Sequence, residues 1–330
     1  MEFRTPVLIP PNPMLDYHSK GLLMGSCFSE SMGEKMHQAG FHVLQNPFGI
    51  LYQPAAILNA LYRIMHLEKY SKEELVFFDG LYHSPDHHGR FSGEDADAVI
   101  ENINLQLTAA HQCVKSEKVV LMITFGSVMG YTRKADQKHF ANCHKIPGDQ
   151  FTRQPESLED IRKNWNELIH QLHHINPDLQ ILFTVSPVRH WKEGAVENQL
   201  SKSKLIVSVH EWVNSHSFCH YFPSYEIMMD ELRDYRFYKE DMLHPSAQAE
   251  TFIWEKFLET CLFPGERPLL QKVEKLRLQC IHRPLHPNRP EHALAMMKLS
   301  EELDQFAATY PHLDVTYLME MLNQKIKTYA

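Results

Sequence analysis

The chain has 330 residues, 43% of them hydrophobic and 22% charged, the balance of an ordinary soluble globular protein of about two domains. Its formal net charge of −8 argues against a general nucleic-acid binder, which would carry a basic excess or stripe. No stretch approaches the roughly 20 apolar residues of a membrane span.

Residues 1–20 read as an extended, proline-rich lead-in, and Met1 to Pro13 has no apolar core of the kind that marks a secretory signal. Gly21-Leu22-Leu23-Met24 reads as a first strand and 28–39 as a helix ending at Gly40, a natural C-cap. Between them lies Gly25-Ser26-Cys27-Phe28-Ser29. A strand that stops at Gly-Ser and turns into a helix puts the serine hydroxyl at the carboxyl end of a sheet. It also brings the free N–H groups of a helix N-terminus beside that hydroxyl. These are two needs of acyl transfer: a nucleophile and a place for an oxyanion. A serine in this position also serves as a plain N-cap.

Phe41 to Leu44 reads as a short strand and Asn46-Pro47-Phe48-Gly49 as a turn. Helix resumes near Pro54, with Ala56, Leu58, Ala60, Leu61, Ile64 and Met65 at near-helical spacing. Residues 77–93 lack clear periodicity and are expected to form a long loop. Its His83, Asp86, His87, His88 and Arg90 are candidates to wall a pocket and read a polar or anionic substrate. Glu94 to Cys113 is helical. Val119 to Phe125 is the strongest strand, apolar on both faces as a central parallel strand should be, and it ends at Gly126-Ser127.

Residues 131–153 read as an excursion that contains Asn142-Cys143-His144-Lys145. A helix from Leu158 to Ile175 and a strand from Leu179 to Val185 follow, with Arg189 and His190 just past the strand's end. Residues 195–216 are helical and Cys219 to Phe222 forms a last short strand. Asp241-Met242-Leu243-His244 then precedes a helix from about Pro245 to Cys261.

Strands alternating with helices imply an α/β fold: a three-layer α/β/α sandwich with a mostly parallel five-stranded sheet, flavodoxin-like, over residues 1–263. Right-handed crossovers put all strand ends at one edge, where ligands of such sheets bind. Ser26, Asn46 with Gly49, Gly126 with Ser127, and Ser186 with Arg189 fall at four of those ends. Residues 264–290 are basic and proline-containing, with Arg283-Pro284, His286-Pro287 and Arg289-Pro290. Two amphipathic helices, 291–309 and 313–328, complete a C-terminal helical extension over 264–330. It is expected to pack on the sandwich or on a partner subunit of a homo-oligomer.

Six cysteines are spread without a Cys-x-x-Cys pair, which fits reduced thiols in the cytoplasm. The 22 histidines show no regular ligand spacing with carboxylates, so no metal or cofactor is expected. Cys27 is an alternative nucleophile, one residue into the turn, with its side chain expected to enter the core.

Asp241-x-x-His244 supplies the missing base. A carboxylate three residues before a histidine can accept one ring N–H and leave the other nitrogen free to take the serine proton. Gly25-Ser26-Cys27-Phe28-Ser29, together with Asn46 to Tyr52, His83 to His88, Asn142 to Lys145, Ser186-Pro187-Val188 and Asp241 to Ser246, resembles the GSCFA family, within the SGNH/GDSL-type hydrolases, over about residues 20–262. The resemblance implies Ser26 as nucleophile, His244 as base, Asp241 as its orienter and the Gly49 N–H as an oxyanion donor. The superfamily's third block reads Gly-x-Asn-Asp, whereas Gly126-Ser127-Val128-Met129 stands here without the asparagine. Asn142 is the first candidate to replace it and Ser127 the second. Asn46, His88 and Arg189 are the other candidate binding residues.

The expected activity is that of a serine esterase or acyltransferase on O-acyl groups, O-acetyl groups and carbohydrate carriers included. The alternative is a non-catalytic carbohydrate- or ligand-binding module on a decayed hydrolase scaffold.

Overall fold

The computed structural model describes residues 5–282 and 290–329. Five strands form the main sheet: β1 (Lys20–Gly25) and β2 (His42–Gln45), then, beyond the β3–β4 hairpin (Val76–Phe78 and Leu81–His83), β5 (Val119–Phe125). After the small sheet of β6 (Met129–Arg133), β7 (His139–Phe140) and β8 (Phe151–Pro155) come β9 (Gln180–Val185) and β10 (Cys219–Tyr221). The main sheet runs β10-β9-β5-β1-β2 and every pairing in it is parallel. All residues of β5 are buried, as its place at the centre demands.

Helices cover both faces. They are α1 (Cys27–Gln38), α2 (Pro54–His66), α3 (Ala96–Val114), α4 (Leu158–Ile175), α5 (Gly194–Ser215), the short α6 (Ser224–Glu226), and α7 (Ala247–Cys261). Strand alternation sorts the core into two layers. Leu22, Met24, Leu121 and Ile123 face α2 to α5, around Trp165 and Trp212. Leu23, Val120, Met122 and Leu182 face α1 and α7. The three-layer sandwich expected from the sequence is therefore the observed fold.

Three segments differ from expectation. Residues 77–93 are not a featureless loop: Asp79 (φ 50°) and Gly80 (φ 77°) close the β3–β4 hairpin. Asp-Gly between apolar pairs is a hairpin signal, because both turn residues must adopt positive φ. The excursion of 131–153 is ordered as the antiparallel β7-β6-β8 sheet, around Phe140, Ile146 and Phe151. The third is a helix, α8 (Arg267–Ile281), within the basic, proline-containing stretch 264–290, for which no helix of its own was read from the sequence. Pro268 stands in its first turn, where a missing N–H costs nothing. Residues 283–289, which hold Arg283-Pro284 and His286-Pro287, lie outside the described residues, as do Met1 to Arg4.

Two further helices, α9 (Pro290–Thr309) and α10 (Thr316–Tyr329), complete the chain. Val273, Leu276, Leu303, Leu318 and Leu322 from α8 to α10 join the same apolar cluster as Phe28, Met32 and Met36 of α1. The C-terminal helices thus lie on the α1 and α7 face of the sandwich. No described helix is long and apolar enough to cross a membrane.

Candidate active site

The Gly25-Ser26 turn is built by backbone constraint. Gly25 has φ +143°, and a Cβ there would lie 2.2 Å from the Thr124 carbonyl oxygen of β5. Only glycine lets β1 close onto β5 at this point. The Ser26 N–H donates to Thr124 O at 3.1 Å, and Leu51 N–H donates to Gly25 O at 2.9 Å. Ser26 is the N-cap of α1, its Oγ accepting from Phe28 N–H at 3.3 Å, with 1% of its surface exposed. The neighbouring Cys27 is half-buried rather than inside the core. Burial, then the Glu30 carboxylate, raises its thiol pKa, which keeps the sulfur protonated and poorly nucleophilic.

Asp241 and His244 form the expected pair. Asp241 Oδ2 lies 2.5 Å from His244 Nδ1, while its Oδ1 accepts the Leu243 and His244 N–H groups at 2.9 Å each. Met242 takes φ 59° to close this turn. The backbone donors, then the His244 ring, hold the exposed Asp241 carboxyl down to about 2. Asp241 is thus ionised at neutral pH and fixes the ring with Nε2 as the remaining nitrogen. Among the described residues no hydrogen bond joins Ser26 to His244.

Two rings, those of Tyr52 and His190, close over Gly126 at the end of β5. His190 packs edge-on against Tyr52, centroids 4.9 Å apart, and its Nε2 lies 3.2 Å from where a Gly126 Cβ would be. Burial, then Lys202, Arg153 and His244 pull the His190 pKa down to about 4, so this ring is neutral at pH 7. Burial, then Cys27, Glu30 and Tyr131, pushes the Tyr52 hydroxyl up to about 12.

Asn46 and Gly49 come together beside the nucleophile turn. Asn46 adopts φ 43°, is buried, and accepts the Gly25 N–H on Oδ1 at 2.9 Å. Its Nδ2 is buried and has no partner. The Gly49 N–H, the donor implied by resemblance, is instead taken by Asn46 O at 2.7 Å within the turn. Gly49 is needed for a different reason: at φ +78° a Cβ would lie 2.3 Å from the His88 Cβ. His88 N–H donates to Phe48 O at 2.9 Å, so residues 84–91 form a strap across this turn.

The strap's polar residues mostly hold the strap. Arg90 pairs with Glu30 at 2.7 Å and donates to Asn46 O at 2.6 Å. Tyr70 donates to Asp86 at 2.9 Å, and His87 is wholly buried, stacked 4.4 Å from Phe48. Of the group, His88 stays half-buried, with Nδ1 accepting from Arg90 N–H at 3.3 Å.

Asn142 is brought back against this strap. Ala141 N–H donates to Pro85 O at 2.8 Å, and His144 Nε2 lies 2.9 Å from Ser84 O. The Asn142 Oδ1 accepts His144 N–H at 3.1 Å in a local turn, and among the described residues its NH2 makes no hydrogen bond. Ser127 is occupied elsewhere. Its N–H goes to Tyr52 O at 3.1 Å and its Oγ binds Met129 N–H and Ser201 of α5.

Arg189 lines a cavity of about 650 Å³ with Trp191, Tyr235, Tyr238 and Asp241. Its guanidinium lies 5.2 Å from the Trp191 ring centre, and its buried Nε has no partner. Aromatic faces, the Arg189 and Arg233 guanidinium groups and the Asp234 carboxylate thus line a space directly beside the Asp241–His244 pair.

Lys202 was not anticipated from the sequence. Fully buried on α5, its Nζ donates to Gly126 O and Ser186 O at 2.8 Å each, tying the ends of β5 and β9 together. Burial pulls its pKa down to about 7. A signal existed: Lys202 falls on the same helical stripe as Leu205, Val209 and Trp212. Among the described residues no group of three or more His, Cys, Asp or Glu could hold a metal ion.

Two solved structures are similar at low identity. A family 3 carbohydrate esterase from Clostridium thermocellum is 12% identical, with a TM-score of 0.33 over 77% of this chain and 98% of that one. An acetyl xylan esterase from the rumen bacterium Butyrivibrio proteoclasticus is 11% identical, with a TM-score of 0.34 over 77% of this chain and 64% of that one. No curated protein matches the chain. A model of the GSCFA domain protein C-terminal domain matches residues 273–328, the span of α8 to α10. The GSCFA family model matches residues 20–257, from β1 into α7, and the chain belongs to the GSCFA family.

Proposed function

We propose that this protein is a serine esterase or acyltransferase of the SGNH type, acting on an O-acyl, foremost O-acetyl, group of a small-molecule or carbohydrate substrate. The observation that carries the reading is the Asp241–His244 hydrogen bond of 2.5 Å, which leaves Nε2 as the ring's other nitrogen. In the proposed cycle Ser26 Oγ leaves its capping bond and attacks the ester carbonyl carbon. Its proton passes to His244 Nε2, and Asp241 stabilises the resulting imidazolium. The carbonyl oxygen becomes an oxyanion, held by the first N–H groups of α1 and by Asn46 Nδ2, the unpartnered donor beside Gly25. Collapse breaks the ester C–O bond and His244 returns the proton to the leaving alcohol. Water or an acceptor hydroxyl then takes the acyl group from Ser26 by the same steps in reverse.

The Arg189 and Trp191 cavity would receive the alcohol portion, with stacking for a sugar face and a guanidinium for a polar or anionic substituent. A second reading, a ligand-binding module without catalysis, is favoured by one observation: Ser26 Oγ is engaged as a cap, with no bond to His244. One experiment separates the two. The parent should cleave a short-chain aryl ester and be labelled at Ser26 by a fluorophosphonate, and Ser26→Ala should lose at least about a thousandfold in rate with labelling abolished. Equal activity in parent and variant would overturn the esterase reading.

A further inference from the structure

A second cavity, of about 490 Å³, opens away from the serine turn between α2, α4 and the small β7-β6-β8 sheet. Its walls include Gln53, the N-cap of α2, and Asn59 within that helix, Tyr131 and Gln154 from the sheet, and Glu156 and Asn164. Asp86, His139 and Asp160 complete its titratable lining, and no lysine or arginine faces it. Two acceptors in this wall lack a donor that matches them. Gln53 is 3% exposed; its Nε2 donates weakly to Ala141 O at 3.4 Å, and its Oε1 has no partner. An unpaired buried oxygen of this kind is costly unless something supplies a hydrogen. Glu156 accepts Ala55 N–H through both carboxylate oxygens at 3.2 Å, but has no cation on its carboxylate. The nearest candidate, Lys204, spends its amino group on the Glu156 main-chain oxygen at 3.1 Å.

We infer that this cavity binds a small ligand bearing a protonated amine and hydroxyl groups, of about monosaccharide size, with its ammonium between Glu156 and Gln53 Oε1. The volume suits such a molecule. Ammonium carries three donors and no acceptor, which complements an amide oxygen with no donor and a carboxylate held only by the Ala55 N–H. Asn59, Asn164 and Gln154 offer both donors and acceptors to hydroxyls, and Tyr131 an aromatic face.

The charge state of Glu156 agrees with a missing cation. Burial, against the pull of Ala55 N–H, raises its carboxyl to about 7. Asp160 on α4 adds to the rise and Lys204 on α5 opposes it, while Asp86 and His139 face the same space. A bound ammonium favours the ionised form, so binding should strengthen as pH rises through about 7 and weaken below it.

Isothermal titration of the full chain tests the inference with glucamine, a primary-amine polyol, and sorbitol, the same skeleton with a hydroxyl in place of the amine. Glucamine should bind at one saturable site at pH 8, at least about tenfold more tightly than sorbitol, and about tenfold more weakly at pH 6. Glu156→Gln keeps the shape and an acceptor for Ala55 and should lose about tenfold. Gln53→Met, which removes only the unpaired acceptor, should weaken binding severalfold, and thermal melting checks that each variant is folded. The inference fails if glucamine gives no saturable heat, if sorbitol binds equally, or if both folded variants bind glucamine as the parent does. None of these outcomes depends on esterase activity.

Discussion

Asn46 combines three properties in one residue: a left-handed backbone, an acceptor turned to Gly25 N–H, and a buried donor with nothing on it. Asparagine tolerates positive φ better than most side chains. Asp shares that tolerance and keeps the acceptor while losing the donor, so Asn46→Asp isolates the proposed oxyanion contact. Measured at pH 8 on a short-chain aryl ester, kcat should fall about a hundredfold to a thousandfold with KM little changed. An unchanged kcat would remove Asn46 from the oxyanion site. The sequence marked Asn46 to Gly49 as a turn through its proline and glycine. It did not show that the Asn46 side chain reaches Gly25, because that depends on the register in which β1 pairs with β2, Leu23 opposite Gln45. Likewise Gly49 was assigned a donor role by resemblance, whereas its own turn consumes the N–H.

Among the elements, the five main strands and most helices were legible because their apolar runs and 3.6-residue periods are long. The β3–β4 hairpin and the small sheet were not, because strands of two to five residues carry little periodicity and hold together by cross-strand pairing. Lys202 shows the same limit. Its stripe on α5 is readable, but the two carbonyls that justify a buried amine come from strand ends far away in the chain. Lys202→Met would keep the apolar stem and leave Gly126 O and Ser186 O without this donor. Removing the buried amine offsets part of that loss, and we expect a net destabilisation of about 2 kcal/mol in urea unfolding. An equal or higher stability would mean that other donors, such as water, replace the amine.

For the molecule as a whole, three neutral rings couple folding to acid. Burial first of all lowers the pKa of His87 to about 3, and those of His144 and His190 to about 4. In the unfolded chain each titrates near 6.5. As pH falls from about 6.5 towards 4 the unfolded state takes up protons that the folded state refuses, so stability declines, by up to about 1.4 kcal/mol per pH unit for each ring. The thermal midpoint should therefore drop steadily between pH 6.5 and 4.5. Replacing His87 by Gln should make the decline shallower by one ring's share. A midpoint flat over that range would mean that these rings already carry protons in the folded protein.

The position of β1 also has a consequence for biosynthesis. β1 lies between β2, which follows it closely, and β5, whose Val119 pairs with Lys20. A ribosome must add about a hundred residues before Thr124 exists to receive the Ser26 N–H, so the serine turn cannot close on the early nascent chain. The apolar face of α1, with Met32 and Met36, waits longer still, since Leu318 and Leu322 of α10 in the same cluster follow nearly three hundred residues later. Ser26 and α1 are thus translated well before the α10 residues that cover this helix, and a chain released after α7 would leave that face open to neighbouring nascent chains.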